Sequence, residues 1–328
     1  MREHSETAPV LEIEGLGVHL SGDRAARPIL DGVSLTVRPG ETVGLVGESG
    51  SGKSVACRSV LGLLPAGART DGEVRVAGRD VLAMNRAELT ALRARQVSMV
   101  FQDPRASVNP LRRVGDFLTE GMRAAGTPAA EATARAEELL DAVGIRDPRG
   151  ALRRYPHQFS GGMLQRVVIA AALASEPALL VADEPTTALD VTTQAEVISI
   201  LARLRAERGT GMLFVTHDLE LAATVCDRVY VMYAGRIVET RSTDDLFDAP
   251  RHPYTAGLLA CTPRIEPGAP APRPIPGRPV SLSEAPPGCS FAARCAHAVP
   301  RCAEEKPALV PHGDGLAACH RAEEGITL

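Results

Sequence analysis

The stretch Gly47–Ser54 constrains the fold more than any other part of this chain. Its sequence, Gly-Glu-Ser-Gly-Ser-Gly-Lys-Ser, matches the pattern G-x-x-x-x-G-K-[ST] at every fixed position. An apolar run at Thr42–Val46 precedes it, and an apolar-periodic stretch at 55–64, ended by Pro65, follows it. A strand, a glycine-rich loop and a helix in this order predict a cradle of backbone N–H groups at a helix N-terminus, which suits nucleotide phosphates.

Two side chains of this loop have separate expected roles. Lys53 is expected to reach the β- and γ-phosphates, and Ser54 to place its hydroxyl on Mg²⁺. The only other lysine in the sequence is Lys306, whereas arginine fills nearly every other cationic position. The choice of lysine at this position therefore supports a specific role for Lys53.

Composition limits the class of protein. The 328 residues, 45% of them apolar, allow one large α/β domain with an appendage, or two modest domains. A net charge of −4 argues against nucleic-acid binding as the main activity. The longest apolar runs fall well short of the ~20 residues of a membrane span, and residues 1–9 lack the pattern of a secretory signal. We therefore expect a cytoplasmic chain that reaches a membrane only through partners.

Buried strands are predicted at 97–101, 178–182 and 212–216, and each ends at polar residues. Gln102 follows the first, Asp183 and Glu184 the second, and His217 the third. Strands that alternate with helices predict a mainly parallel sheet covered on both faces. At the ends of these strands Asp183 is expected to hold Mg²⁺ through water and Glu184 to polarise an attacking water, while Gln102 and His217 can reach the γ-phosphate region.

Helices are predicted between and after these strands. Residues 105–155 form an inserted helical segment, in which one helix has Thr127 as its N-cap, Pro128 at its first position and Gly144 at its end. Ser160-Gly161-Gly162 opens a helix over 163–175 and so makes a second anion site of the same physical kind as the first. Asp190 is predicted to cap a further helix that ends at Gly209, and 229–239 to form a hairpin with Ala234-Gly235 as its turn.

In this order the motifs resemble those of the ATP-binding cassette (ABC) ATPases, over roughly residues 10–328. The resemblance makes Gly47–Ser54 the Walker A loop and Gln102 the Q-loop glutamine. Further along the chain it identifies the signature as Phe159-Ser160-Gly161-Gly162-Met163, Walker B as Leu179–Asp183 followed by the catalytic Glu184, the D-loop as Ala188-Leu189-Asp190, and the switch histidine as His217. Three further sequence features resemble those of the D-type ATPase subunit of dipeptide and oligopeptide importers. They are Tyr155-Pro156-His157-Gln158, Met163 in the signature, and His252-Pro253-Tyr254.

The resemblance implies a P-loop NTPase (RecA-like) α/β core with an antiparallel β subdomain, a helical subdomain and a small C-terminal extension. The corresponding boundaries are 1–104 and 156–250 for the core, 105–155 for the helical signature subdomain and 251–328 for the extension. The resemblance implies that the catalytic residues are Glu184, His217 and Gln102. It implies that Mg²⁺ is bound by Ser54, Gln102 and Asp183. ATP contacts are expected at Gly47, Ser49, Gly50, Gly52, Lys53, Ser54 and Asp183, while Ser160, Gly161 and Gly162 would serve the ATP of a partner subunit.

The implied activity is ATP hydrolysis that drives peptide import at the cytoplasmic face of the membrane. The implied partners are an F-type ATPase subunit in a heterodimer, two integral membrane permeases and an extracytoplasmic peptide-binding protein, and no nucleic acid. Related importers carry nickel or other small solutes, so the cargo stays open. A soluble ABC protein of DNA repair or translation is the alternative from another class, although such proteins typically carry two cassettes or long coiled coils.

Four of the seven cysteines, Cys289, Cys295, Cys302 and Cys319, crowd the last forty residues. Their spacing does not match the short pairs of common zinc modules or bacterial ferredoxins. The preceding Pro-rich stretch cannot bury a core unaided, so a metal is a reasonable staple, whereas four unrelated thiols are the plain alternative. The resembled importers associate this tail with a [4Fe–4S] cluster; Zn²⁺ held by four Cys, or by three with His320, is the other candidate.

Overall fold

A computed structural model of the chain describes residues 8–21, 26–187, 189–262 and 271–324. The strands are β1 (Leu11–Leu20), β2 (Arg27–Val37), β3 (Thr42–Val46), β4 (Arg69–Val76), β5 (Arg79–Asp80), β6 (Val97–Val100), β7 (Leu179–Asp183), β8 (Gly211–Thr216), β9 (Arg228–Tyr233), β10 (Arg236–Ser242), β11 (Val310–His312) and β12 (Gly315–Ala317). The α-helices are α1 (Lys53–Val60), α2 (Arg86–Arg95), α3 (Pro104–Ser107), α4 (Val114–Ala124), α5 (Ala129–Ala142), α6 (Pro148–Arg153), α7 (Gly161–Leu173), α8 (Val191–Arg208), α9 (Leu219–Val225), α10 (Thr243–Asp248), α11 (Pro253–Cys261), α12 (Pro300–Glu304) and α13 (His320–Glu323).

The described residues divide into two compact units. The first unit takes in 8–11, 37–41 and 75–213, and the second takes in 12–36, 42–74 and 214–324. The Walker A loop, His217 and the four clustered cysteines belong to the second unit. Gln102, Glu184 and the signature belong to the first.

The first unit is built on β6 and β7, which run parallel in the register Val97↔Leu179 to Val100↔Ala182. All five residues of β7 are buried, as predicted for a strand covered on both faces. The predicted helical segment at 105–155 is confirmed as α3 to α6. Helices α4, α5 and α6 pack against one another, and α4 and α5 also contact α7, whose apolar face supplies Leu164, Val167 and Val168.

The second unit contains β3, fully buried and parallel to β9 in the register Val43↔Arg228 to Val46↔Val231. The predicted hairpin is confirmed: β9 and β10 pair antiparallel on either side of Ala234-Gly235. The chain beyond 251 then adds strands to this part of the sheet, which the sequence does not predict. β12 pairs with β10 through Glu239↔Ala317 and Thr240↔Leu316, and β11 pairs with β12.

Several predicted helix boundaries are wrong by a few residues. α1 begins at Lys53 rather than 55 and ends at Val60 rather than 64, because Gly52 and Gly62 take left-handed φ angles of 107° and 63° and bound it on both sides. α5 begins at Ala129 with Pro128, not Thr127, as its N-cap residue. α7 begins at Gly161 rather than 163, because Ser160 is its N-cap and both glycines are already helical.

Candidate functional site

The Walker A loop connects β3 to α1, as the sequence predicts. A Cβ at Gly47 would lie 2.2 Å from the backbone oxygen of Met232, and one at Gly52 would lie 2.6 Å from Leu30 Cδ2. Both positions also have left-handed φ angles, 152° and 107°. The loop therefore needs glycine at these two positions for both steric and conformational reasons.

Lys53 is buried at the first position of α1 and lies against the loop. Its Nζ donates to the backbone oxygens of Gly47, at 2.6 Å, and Glu48, at 3.0 Å. These two carbonyls hold the ammonium in the concavity of the loop. Ser54, the predicted Mg²⁺ ligand, follows in the first turn of α1.

Gln102 and Glu184 are brought together at the carboxyl ends of β6 and β7. Val100 is in register with Ala182, and each polar residue lies two positions further along its own strand. Gln102 Nε2 donates to Glu184 Oε2 at 2.9 Å, and Thr187 Oγ1 donates to the same oxygen at 2.9 Å. Two donors thus orient the Glu184 carboxylate, and one of them, Thr187, was not singled out from the sequence.

Asp183 and Glu184 have different surroundings although they are adjacent. Asp183 is the last residue of β7 and is 5% exposed, whereas Glu184 is half-buried. Glu184 has a φ of 48°, a left-handed conformation that non-glycine residues seldom adopt. The chain turns sharply at Glu184, so its carboxylate leaves the strand direction and reaches Gln102.

Ser160 is the N-cap of α7, and its Oγ accepts from the backbone N–H of Met163 at 3.3 Å. Gly161 and Gly162 are the first two residues of the helix. An open concave surface is formed by this helix N-terminus, the side chains of Arg146 and Arg166, and Asp190 at the start of α8. The positive helix end and Arg146 suit an anion, whereas Arg166 is ion-paired with Glu196 and Asp190 adds negative charge to the same surface.

Asp190 caps α8 as predicted: its Oδ1 accepts from the N–H of Thr193 at 3.0 Å, and its Oδ2 from the hydroxyl of Thr193 at 2.8 Å. Of the predicted D-loop, Leu189 and Asp190 are described and Ala188 lies outside the described residues. His217 directly follows β8 and is exposed, and the next residue, Asp218, caps α9.

The four clustered cysteines come together in the second unit. Cys302 and Cys319 are buried, Cys289 and Cys295 are half-buried, and all four carry free thiols. They line one small cavity, which His252 and His320 also border. Burial raises the pKa of Cys289 to about 11, with the neighbouring thiols adding to the effect, and burial likewise raises the pKa of Cys295 and Cys319.

Four thiols around one cavity are a donor set that fits a metal group bound by cysteine. Within the described ranges, however, no group of three or more His, Cys, Asp or Glu side chains is arranged to hold a metal ion. Because burial raises the pKa of Cys289, Cys295 and Cys319, metal loading would have to displace protons from these three thiols. The Nε2 of His320, the alternative zinc ligand, lies 3.0 Å from the backbone oxygen of Glu305.

None of the described helices combines the length and the apolar character needed to cross a membrane.

The sequence did not predict that Glu48 of the Walker A loop contacts two residues near the C-terminus, Tyr254 and Arg294. The loop residue Glu48 forms an ion pair with Arg294, 246 positions along the chain. Its backbone N–H donates to the hydroxyl of Tyr254 at 2.8 Å. An acidic side chain inside an anion-binding loop indicates that a cation lies nearby to compensate its charge. Nothing in the sequence identifies which arginine supplies that cation.

Comparison with known proteins finds two family models and many relatives. The model described as "ABC transporter" matches residues 30–187, and the one described as "Oligopeptide/dipeptide transporter, C-terminal region" matches residues 238–302. The chain is 43% identical over 333 residues to the probable peptide ABC transporter ATP-binding protein y4tR of Sinorhizobium fredii, covering 100% of this chain and 99% of that protein. It is also 43% identical over 318 residues to the oligopeptide transport ATP-binding protein OppD of Salmonella typhimurium, covering 97% and 95%.

Solved structures are similar to the larger part of the chain. A dimeric post-hydrolysis state of the ATP-binding cassette MJ0796 bound to ADP and Pi matches with a TM-score of 0.64 and 27% identity, covering 71% of this chain and 98% of that one. CbiO1 of Clostridium perfringens, described as part of an ABC transporter complex, matches with a TM-score of 0.63 and 26% identity, covering 73% and 91%. The similarity to these structures leaves about a quarter of this chain uncovered.

Proposed function

Because the chain belongs to the oligopeptide transport ATP-binding proteins of the ABC transporter family, we propose that it hydrolyses ATP to power the import of dipeptides or oligopeptides. The observation that carries the proposal is the 43% identity to OppD over 97% of the chain. The geometry of the loop at Gly47–Ser54 and of the Gln102–Glu184 pair supports it.

We assign the nucleotide chemistry to the following residues. The backbone of Gly47, Ser49, Gly50 and Gly52 and the ammonium of Lys53 bind the phosphates. Glu184, oriented by Gln102 and Thr187, accepts a proton from the attacking water, and His217 contacts the γ-phosphate. Mg²⁺ would be held by Ser54, Gln102 and Asp183. The ATP of a partner subunit would be contacted by Ser160, Gly161 and Gly162. Mg²⁺, when bound, neutralises charge on the phosphates.

We further propose that the chain acts at the cytoplasmic face of the membrane, in a complex. Its partners are an F-type ATPase subunit, two permeases and an extracytoplasmic peptide-binding protein. The helix N-terminus at Ser160, with Arg146 beside it, supports the binding of a nucleotide there, which a head-to-tail pair of such subunits would supply. The ATP-binding core is assigned to 1–104 and 156–250, the signature subdomain to 105–155 and the C-terminal extension to 251–328.

The test of the catalytic assignment is Glu184→Gln in the transporter assembled in proteoliposomes. The amide keeps the size of the side chain but cannot take a proton, so turnover should fall at least about 100-fold while the ATP affinity stays within about threefold of wild type. Glu220→Gln, on an exposed face of α9, is the matched control and should change neither value. A Glu184→Gln complex that hydrolyses ATP at the wild-type rate would exclude Glu184 as the base.

For the cysteine cavity we propose a [4Fe–4S] cluster, with Zn²⁺ as the alternative. Four thiols on one cavity supply one ligand for each iron of such a cluster. A cluster bound there would link the four cysteine-bearing segments and so stabilise the extension. Cys289, Cys295, Cys302 and Cys319 are the ligands.

Iron, acid-labile sulfide and zinc should be measured on the full chain purified without oxygen. The expected result is about four iron and four sulfide per chain, reduced by Cys302→Ser and unchanged by Cys261→Ser, a half-buried thiol outside the set. Zinc in place of iron would support the alternative, and a chain without either metal would refute both.

A further inference from the structure

Glu48 is an acidic residue inside the loop that binds phosphate, and Arg294 compensates its charge. Arg294 Nη1 donates to Glu48 Oε2 at 2.6 Å, and Arg294 Nη2 donates to Glu48 Oε1 at 3.0 Å. The Arg294 side chain is 5% exposed and that of Glu48 is 23% exposed. This is a two-pronged, charge-assisted pair shielded from water, the arrangement in which arginine binds a carboxylate most strongly.

The guanidinium of Arg294 is held in place from other directions. Its Nε donates to the backbone oxygen of Pro276 at 2.9 Å. Its Cζ lies 5.8 Å from the ring centroids of both Tyr233 and Phe291, within range of cation–π attraction. Arg294 therefore meets Glu48 already fixed, so the pair forms with little loss of side-chain freedom.

The backbone of the loop is held by the same part of the chain. The N–H of Glu48 donates to the hydroxyl of Tyr254, a fully buried side chain of α11. The Tyr254 ring packs against Tyr233, with centroids 4.7 Å apart, and against Phe291, at 5.3 Å. The backbone carbonyl of Glu48 accepts from Lys53 Nζ. Glu48 therefore connects Tyr254, through its N–H, to Lys53, through its carbonyl.

We propose that Arg294 and Tyr254 of the C-terminal extension are positioning residues of the nucleotide site. Arg294 draws the Glu48 carboxylate away from the phosphates and neutralises it, and Tyr254 fixes the peptide on which Lys53 rests. The extension thereby controls the affinity of the loop for ATP. This inference rests on the proposed ATP-binding function of Gly47–Ser54.

The decisive comparison is between Arg294→Met and the double variant Arg294→Met/Glu48→Gln, measured as ATP affinity of the full chain by titration calorimetry. Arg294→Met leaves an uncompensated carboxylate in the loop, which repels the triphosphate, so the dissociation constant for ATP should rise about tenfold. Adding Glu48→Gln removes the repelling charge and should recover most of that loss. Glu48→Gln also removes an unpaired, mostly shielded charge that would destabilise the fold, so the comparison is made only between variants that are fully folded at the assay temperature. A role in folding alone then predicts wild-type ATP affinity for the folded single variant as well as for the folded double variant.

Two further variants make the test independent of one substitution. Tyr254→Phe keeps the ring and removes the acceptor of the Glu48 N–H, and should weaken ATP binding about threefold or more. Arg278→Met, on an exposed arginine of the same extension that faces Glu284 at 3.5 Å, is the matched control and should leave affinity unchanged. Circular dichroism at the assay temperature verifies that each variant is folded.

In the assembled transporter, Arg294→Met should raise KM for ATP and leave kcat at saturating ATP close to wild type, because the chemistry at Glu184 is untouched. Unchanged affinity in Arg294→Met and Tyr254→Phe, or no recovery in the double variant, would overturn the positioning role. A wild-type chain that does not bind ATP at all would instead refute the proposed function, so the two failures are distinguishable.

Discussion

The two glycines of the signature should respond in opposite directions to the same substitution. A Cβ at Gly161 meets nothing within 4 Å, whereas a Cβ at Gly162 would lie 2.5 Å from Thr193 Cγ2. Both residues are in the first turn of α7 with helical backbone, so neither change strains φ. The difference between the variants therefore isolates the contact between α7 and the start of α8.

The expected change in the free energy of unfolding follows from the movement that the Gly162→Ala side chain would force on Thr193. Its methyl would have to retreat by about 0.9 Å to reach an ordinary 3.4 Å contact. Thr193 is β-branched and stiff at χ1, and its hydroxyl and N–H both bind Asp190, so this movement weakens the cap of α8. A lost cap costs about 1 kcal/mol and overpacking about 1–3 kcal/mol, which predicts about 2–4 kcal/mol for Gly162→Ala. Gly161→Ala should instead stabilise by up to about 1 kcal/mol.

Urea unfolding of the full chain, followed by circular dichroism because the sequence has no tryptophan, measures both effects. Thr193→Ser supplies the control, since it deletes the clashing methyl and keeps the hydroxyl that binds Asp190. Gly162→Ala should therefore cost much less in the Thr193→Ser background than in wild type. Equal unfolding midpoints for Gly161→Ala and Gly162→Ala, or an equal cost of Gly162→Ala in both backgrounds, would refute the steric explanation.

Two other predictions concern local stability and its pH dependence. Asn85→Ala removes a side chain that accepts from the N–H groups of two residues in the first turn of α2, and should lower the free energy of unfolding by about 1 kcal/mol; an unchanged urea midpoint would contradict this. Burial raises the pKa of Asp31, but Arg236 and Lys306 outweigh it and hold that pKa below its usual value of 3.8. The ionised Asp31 carboxylate therefore stabilises the fold above about pH 4, and this stabilisation is lost as the pH falls through the lowered pKa. Asp31→Asn should reduce the acid-induced loss of stability. The reduction should be at most about 1 kcal/mol, because the side chain is half exposed. Identical urea midpoint profiles for wild type and Asp31→Asn between pH 5 and 2 would contradict it.

The sequence predicts those parts of the fold and site whose signals are local. Periodicity and strand-end residues are sufficient to predict β7, and parallel pairing of β6 with β7 brings Gln102 to Glu184 with no further information. Asp190 was predicted as a cap because N-cap chemistry is a property of the first turn alone.

What the sequence does not predict depends on distant or conformational effects. Arg294 and Glu48 are 246 positions apart, and no pattern along the chain pairs one arginine among many with one glutamate. The left-handed φ of Glu184 has no compositional signature, since glycine, asparagine and aspartate are the residues that usually mark it. The end of α1 was misplaced because apolar periodicity continues past Val60 although Gly62 already turns the chain.

The hairpin of β11 and β12 also changes what the sheet presents to other molecules. β10 carries Ile237 and Val238, and a bare strand of this kind offers a row of unpaired N–H and C=O groups to any passing chain. Pairing with β12 at Glu239 and Thr240 covers part of that edge and moves the boundary outward to β11, a strand of only three residues with a proline at its centre. Proline cannot donate to a ladder, so this end of the sheet is a poor template for further strands. Beyond any part in nucleotide or metal binding, the C-terminal extension thus leaves no long bare strand at this end of the described sheet.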